Sequence, residues 1–400
     1  MDCQCIRRIS LWVGLLSVSF PLCGQENRLK SYDHLIRFEN LSVNEGLSQS
    51  TGRDILQDSR GFMWIATQDG LNKYDGRKFT IYNNQSGDTN SLSDNFILSL
   101  HEDKEGNLWI GTNGSGIDRF NPELETFTHF RHQPSDTRSL SNDYINAIYE
   151  DSRGMLWFAT YHGLNCLNPV TQEFTLYYMD SLSHQASHIL CMLEDSRGQF
   201  WLGTNGGGLL QFDRQTGRIL RQIVNHQGYQ PIGGNTISCM LEDHLGNLWF
   251  GGAGCSLTRW NIQTDEIKVF HHDPADPSTI SGNALYALYE SQIGEPILWV
   301  GTVRNGLSRY MPKSQSFLNY SHDPNDPFSL PNNVIFSMES SEDGTMWVGT
   351  GGGGISKFSL RKNNFHPFRN PKGRLSNFIW SILEYDENHV LIGTQNSGVY

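Results

Sequence analysis

The chain has 400 residues, of which 40 are Gly, 12% are aromatic and 18% are charged, and its formal net charge is −12. This composition is too apolar for disorder and suits many short strands joined by tight turns. An acidic chain without a block of Lys and Arg also argues against a nucleic-acid partner, because binding phosphates needs clustered cations.

Residues 1–24 read as an export signal. Arg7 and Arg8 precede the short apolar run Ile9–Phe20, and Gly24 offers a small residue before a cut at Gln25. The run is too short to span a membrane, and no run of 18 apolar residues follows it. Cys23 suggests lipidation, but bulky Leu22 before it disfavours that reading. Cleavage leaves four cysteines: Cys166, Cys191, Cys239 and Cys255. Cys191 and Cys239 occupy one repeat position, where other repeats have Asp54, Ser99, Ala147, Ala287, Ser337 and Ser381, so buried free thiols are expected there rather than a metal or disulfide.

After the leader comes an isolated segment, Leu35–Ser42 followed by Gly46-Leu-Ser48, which matches the last strand and linker of later units, with the strand itself near Leu35–Glu39. The segment Asp58–Thr67 (DSRGFMWIAT) then returns seven times, as EDKEGNLWIGT, EDSRGMLWFAT, EDSRGQFWLGT, EDHLGNLWFGG, ESQIGEPILWVGT, SSEDGTMWVGT and YDENHVLIGT. Trp64, Trp109, Trp157, Trp201, Trp249, Trp299 and Trp347 mark the copies, and Leu391 takes the eighth place. A fixed period in the forties with one Trp and one turn Gly per unit predicts a repeated four-stranded β-unit.

The third unit serves as the template: strands at 144–149, 156–160, 164–167 and 173–178, with an Asp-x-x-Gly turn at Asp151–Gly154. Such a sheet buries both faces only by stacking radially against its neighbours, which makes the fold all-β and a β-propeller. The repeated Asp, Gly and Trp are therefore read as turn and packing residues. Two closures fit the pattern. Seven blades close near residue 360 with the N-terminal strand completing the last blade, and 361–400 then begin a second propeller; an eight-bladed ring uses every unit.

The units resemble the two-component regulator propeller repeat, on the strength of 100–121 (LHEDKEGNLWIGTNGSGIDRFN), 193–213 (LEDSRGQFWLGTNGGGLLQFD) and the in-phase copies from 35 to 400. Departures are local: Gly252 replaces Thr, Glu295-Pro296 are inserted before Trp299, and the eighth unit lacks Trp. The resemblance implies the periplasmic sensor region of a hybrid histidine kinase, common in glycan-degrading bacteria. It also implies a leader (1–24), a seven-bladed propeller (25–360) and the start of a second one (361–400). Membrane, kinase, receiver and DNA-binding parts, and homodimerisation of the full-length protein, would lie outside this chain.

No zinc-protease, nucleophile-elbow or P-loop motif occurs, so neither a cofactor nor a metal is expected. Gly351–Gly354 reads as a turn. His162, His271, His272 and His322 lack metal spacing, and the Asp-Pro loops at 273–277 and 323–327 read as stiff surface turns. A ligand is expected on the face carrying the turns between second and third strands, where the repeats diverge. The candidates are Gln68, Asn113, Tyr161, His162, Asn205 and Arg304, with Asn95 and Asn235 from a polar ring that also includes Ser50, Asp143, Ser187, Asn283 and Asn333. Aromatic, imidazole, guanidinium and amide groups suit an oligosaccharide; in the plainer alternative, the Asn and Ser of the ring cap the linkers. A docking scaffold and a propeller lyase or quinoprotein are the competing function classes, the last disfavoured by the lack of a carboxylate pair in sequence.

Overall fold

The computed structural model describes residues 36–179, 187–226, 229, 231–292, 295–359, 379–386, 389–395 and 398–399. The leader, Leu35 and the segment 361–378 lie outside the described residues.

Seven antiparallel sheets of four strands are arranged as blades. The third blade comprises Ile145–Glu150, Leu156–Thr160, Gly163–Leu167 and Phe174–Tyr177, in that order from the innermost strand outward. These bounds lie within a residue or so of those read from the sequence. The repeat pattern has a direct physical cause. Asp151 Oδ1 accepts the turn N–H groups of Arg153 and Met155 at 3.0 Å, while Oδ2 accepts the Trp157 indole N–H at 3.0 Å. Gly154 takes φ 78°, which a side chain would resist. One carboxylate thus fixes the turn and anchors the indole six residues later. The same Asp–Trp bond recurs at Trp64, Trp109, Trp201 and Trp249, and Ser341 substitutes at Trp347.

Each repeat indole, including Trp299 whose buried N–H finds no partner among the described residues, reaches an aromatic ring of the following blade. Trp64 meets Phe120, Trp109 meets Phe158, Trp157 meets Phe212, Trp201 meets Trp260, Trp249 meets Tyr310 and Trp299 meets Phe358, at 5.1–6.0 Å between ring centroids. Trp347 of the seventh blade meets Tyr74 of the first at 5.8 Å, so the series closes on itself. All seven repeat tryptophans are buried.

The seventh blade is Ile335–Ser340, Thr345–Thr350 and Ile355–Ser359, completed by the N-terminal strand Glu39–Leu41, with Leu41 opposite Ile355. The closing strand begins where the sequence reading had it end. Burial of Phe38 against Phe358 and Tyr320, and of Leu41, sets this register, and Asn40 accepts from Ser356 Oγ at 2.7 Å. Residues Ile379–Asp386, His389–Thr394 and Gly398–Val399 form a separate three-stranded sheet, so the ring has seven blades and the eight-bladed alternative does not hold.

On the face with the Asp-x-x-Gly turns, neighbouring blades are clamped by a repeated bond pair. Ser59 N and Oγ donate to Glu102 of the next blade (2.7 and 2.8 Å); Ser152 does the same to Glu194, and Ser196 to Glu242. The cysteine position packs on a second-strand glycine: a Cβ on Gly203 would lie 2.5 Å from Cys191 Sγ. Cys166, Cys191, Cys239 and Cys255 are free, and burial pushes all four thiols up, Cys166 and Cys255 to about 12.

Candidate ligand face and channel

The opposite face is built from the turns between second and third strands. A threonine closes most of them: Thr67, Thr112, Thr160, Thr204, Thr302 and Thr350 each donate Oγ1–H to the carbonyl of a glycine three or four residues on. That glycine's N–H in turn donates to the linker of the next blade, as from Gly70 to Asn95 O, Gly163 to Ser187 O and Gly354 to Ser50 O. Turns and linkers therefore share one face, and the turn residues between Thr and Gly are free to vary.

Three of the candidate residues come together there. The Tyr161 ring stacks on His188 at 3.8 Å and 23°, and meets Tyr144 edge-on at 5.4 Å. Asn205 Nδ2 lies 3.3 Å from His188 Nδ1, and Asn113 bridges to Tyr144 through the backbone. The second, third and fourth blades thus contribute to one patch on which Tyr161 and Tyr144 stay 46% and 43% exposed. His162 is exposed beside Tyr161, its N–H donating to Thr160 Oγ1. Arg304 and Gln68 are exposed on turns of the sixth and first blades, outside this patch.

Asn95 and Asn235 have other duties. Asn95 Oδ1 accepts from Asn84 N at 2.6 Å and its Nδ2 donates to Asp69; Asn235 accepts from Asn225 N at 2.6 Å and donates to Asn225 O. Asp143, Asn283 and Asn333 likewise accept from His132, His272 and His322 N. These side chains reach toward the end of the fourth strand and hold the linker. The linker histidines His132, His272 and His322 turn Nδ1 to a linker carbonyl. In the Asp-Pro loops, Asp273 and Asp276 accept turn N–H groups from Ala275 and Ser278.

Sequence reasoning missed a second group, on the innermost strands. Their ladders break at one extra residue: Leu98, Asn146, Leu190, Tyr286 and Phe336 each sit in a register shift. Arg53 and Ser238 hold the equivalent places just before the first and fifth inner strands. Side chains from this level meet those of neighbouring inner strands: Asn146 donates to Ile189 O, Ser238 to Leu285 O, and the Arg53 guanidinium lies 4.3 Å from the Phe336 ring centroid. Two half-buried carboxyls stand on neighbouring inner strands, Asp54 of the first blade bonded to Leu100 N of the second and Glu339 of the seventh bonded to Tyr289 of the sixth. Burial pushes Asp54 up to about 6 and Glu339 up to about 7, the latter against hydrogen bonds from Ser340 N and Tyr289 Oη. The signal in the sequence was faint: a variable residue following an almost invariant Ile or Leu (Ile97, Ile145, Ile189, Ile237, Leu285, Ile335).

Fold and face together define a seven-bladed repeat propeller with one clamped face and one variable face. The two-component regulator propeller model matches residues 91–114, 139–162, 183–206, 231–254 and 329–352, in five of the seven blades. A 65-residue stretch is 45% identical to histidine kinase P4 of Formosa agariphila, covering 16% of this chain and 5% of that protein. Among solved structures, the extracellular domain of a proposed hybrid two-component system, BT3049 from B. thetaiotaomicron, superposes with a TM-score of 0.73 at 24% identity, over 92% of this chain and 49% of that one. A streptogramin B lyase superposes at 0.60 with 16% identity, over 82% of this chain and 98% of that one. At these identities the structural likenesses show the fold alone, and the chain spans about half the length of the BT3049 domain.

Proposed function

We propose that this chain is the ligand-sensing input of a hybrid two-component histidine kinase, exported to the periplasm and relaying occupancy to a kinase outside residues 1–400. The observation that carries the reading is the match of five blades to two-component regulator repeats, supported by the partial likeness to a histidine kinase. The ligand is a glycan fragment seated on the variable face, with Tyr161 and Tyr144 as stacking surfaces and Asn113, Asn205 and His162 as polar contacts; Arg304 and Gln68 would reach only a longer chain. In this reading the chain itself catalyses nothing, residues 361–400 begin a second propeller, and the full-length protein is a homodimer used in polysaccharide utilisation. No cofactor takes part.

Calorimetry with a panel of plant and host oligosaccharides on the wild type and on Tyr161→Ala tests the site. Loss of one stacking ring costs about 1–3 kcal/mol on the aromatic platforms that hold nucleobases, and a weakening within that range is the expected outcome here. A sugar that binds both proteins equally places the site elsewhere.

A further inference from the structure

The residue at the inner-strand irregularity differs in nearly every blade, and in three neighbouring blades it brings an unusual set together. Arg53 of the first blade lies over the Phe336 ring of the seventh, and Phe336 packs against Tyr286 of the sixth with ring centroids 5.0 Å apart at 33°. The Arg53 side chain is half-buried, and its Nε is buried with no hydrogen-bond partner. Asp54, adjacent in sequence, attracts it through space while its oxygens bond elsewhere. Its Oδ1 accepts from its neighbour Ile55 N at 3.0 Å and its Oδ2 from Leu100 N of the second blade at 2.8 Å, so the carboxylate is committed to the seam between the first and second blades. Burial weakens the hold of Arg53 on its proton, and the neighbouring Tyr286 and Asp54 offset only part of this. A guanidinium taken partly out of water against an aromatic wall, with buried donor capacity unused, is costly unless an anion completes it. Cation–π contact with Phe336 recovers only part of that cost.

We propose that Arg53, Tyr286 and Phe336 form an anion site inside the ring, which takes the carboxylate of a small organic acid, acidic sugars included. The planar fork of Arg matches a carboxylate with two parallel N–H bonds, and a water-poor surrounding strengthens them. In this site Phe336 backs the guanidinium at 4.3 Å, and Tyr286, packed on Phe336, would supply a hydroxyl donor to an oxygen beside the carboxylate. The site is distinct from the Tyr161 patch, which is built from the second, third and fourth blades.

The test uses the whole chain, with glucuronate, acetate and glucose as probes, read by calorimetry and by ligand-dependent thermal shift. Glucuronate is expected to bind and to raise the melting temperature, glucose to do neither, and Arg53→Gln to weaken glucuronate about tenfold or more. Acetate displacing glucuronate with equal affinity would show that the site reads a free carboxylate alone; weaker displacement by acetate would show that the sugar ring adds contacts, and either result supports the site. Arg53→Lys keeps the charge, loses the fork and is expected to fall between wild type and Gln; it serves if the Gln variant fails to fold. Tyr161→Ala is expected to leave glucuronate binding unchanged, which separates this site from the proposed glycan face. Equal binding of glucuronate and glucose, or wild-type affinity in Arg53→Gln, overturns the proposal.

Discussion

Trp201→Ala probes the link between repeat pattern and ring. Trp201 is buried, donates its indole N–H to Asp195 Oδ2 at 3.0 Å, and meets Trp260 of the next blade edge-on at 5.3 Å. It shares a core cluster with Ile237, Leu248, Phe250 and Trp260, so the cavity opens between the fourth and fifth blades. Burying about 200 Å² of indole at about 25 cal/mol/Å² is worth about 5 kcal/mol, of which the retained Ala recovers a part. Large-to-Ala changes of this kind cost about 3–5 kcal/mol. Trp201→Phe keeps most of the packing and removes one donor from a carboxylate that still accepts from Arg197, so about 1–2 kcal/mol is expected. Trp380→Ala is the control: that Trp is 74% exposed on the separate three-stranded sheet, and a change below about 0.5 kcal/mol is expected. Urea unfolding followed by tryptophan fluorescence and circular dichroism ranks the three. Equal midpoints for Trp201→Ala and Trp380→Ala would refute the account of blade packing.

Further predictions concern the inner-strand carboxyls, a turn and the leader. Glu339 and Asp54 hold their protons more tightly when folded, about 7 against the usual 4.5 and about 6 against 3.8. Their favourable contribution is therefore complete below those usual values and is lost as pH rises through about 6 and 7. Glu339→Gln should match the wild type in urea unfolding near pH 4.5 and exceed it by about 3 kcal/mol at most near pH 9, and an identical difference at both pH values would remove the burial of this carboxyl from the explanation. Gly252→Ala should cost several kcal/mol, because a Cβ there would lie 2.1 Å from Thr236 O, a backbone atom with little room to move; an unchanged melting temperature contradicts that close approach. N-terminal sequencing of the exported protein should begin at Gln25 or within a few residues, and an uncut product counts against the leader.

The ring was readable because its cause is local. Asp, Gly and Trp at fixed spacing satisfy one turn and one indole at a time, and the pattern repeats wherever that geometry repeats. The closing strand was legible in kind but not in register: Leu35–Glu39 and Glu39–Leu41 differ by a choice that only Phe358, Tyr320 and Ile355, more than 280 residues away, can make. The polar ring of Asn95 and Asn235 shows the opposite limit. Asn heads several inner strands, and sequence alone does not say whether it turns toward the axis or toward the linker; the linker N–H groups decide it. Tyr161 was found because it departs from its repeat, whereas its partner His188 had to be brought up from the next blade. Arg53, Tyr286 and Phe336 escaped notice because they sit where the strand ladder slips, and there the two-residue alternation no longer gives the direction of a side chain.

The most direct test of the sensor reading is phosphoryl transfer in the full-length kinase that this reading proposes, reconstituted in vesicles with the propeller face accessible to added sugars. With radiolabelled ATP, an oligosaccharide identified by calorimetry should change the level of histidine phosphorylation in the wild type and leave Tyr161→Ala unchanged. A phosphorylation level that ignores the sugar in both proteins, or that responds equally in both, contradicts the account.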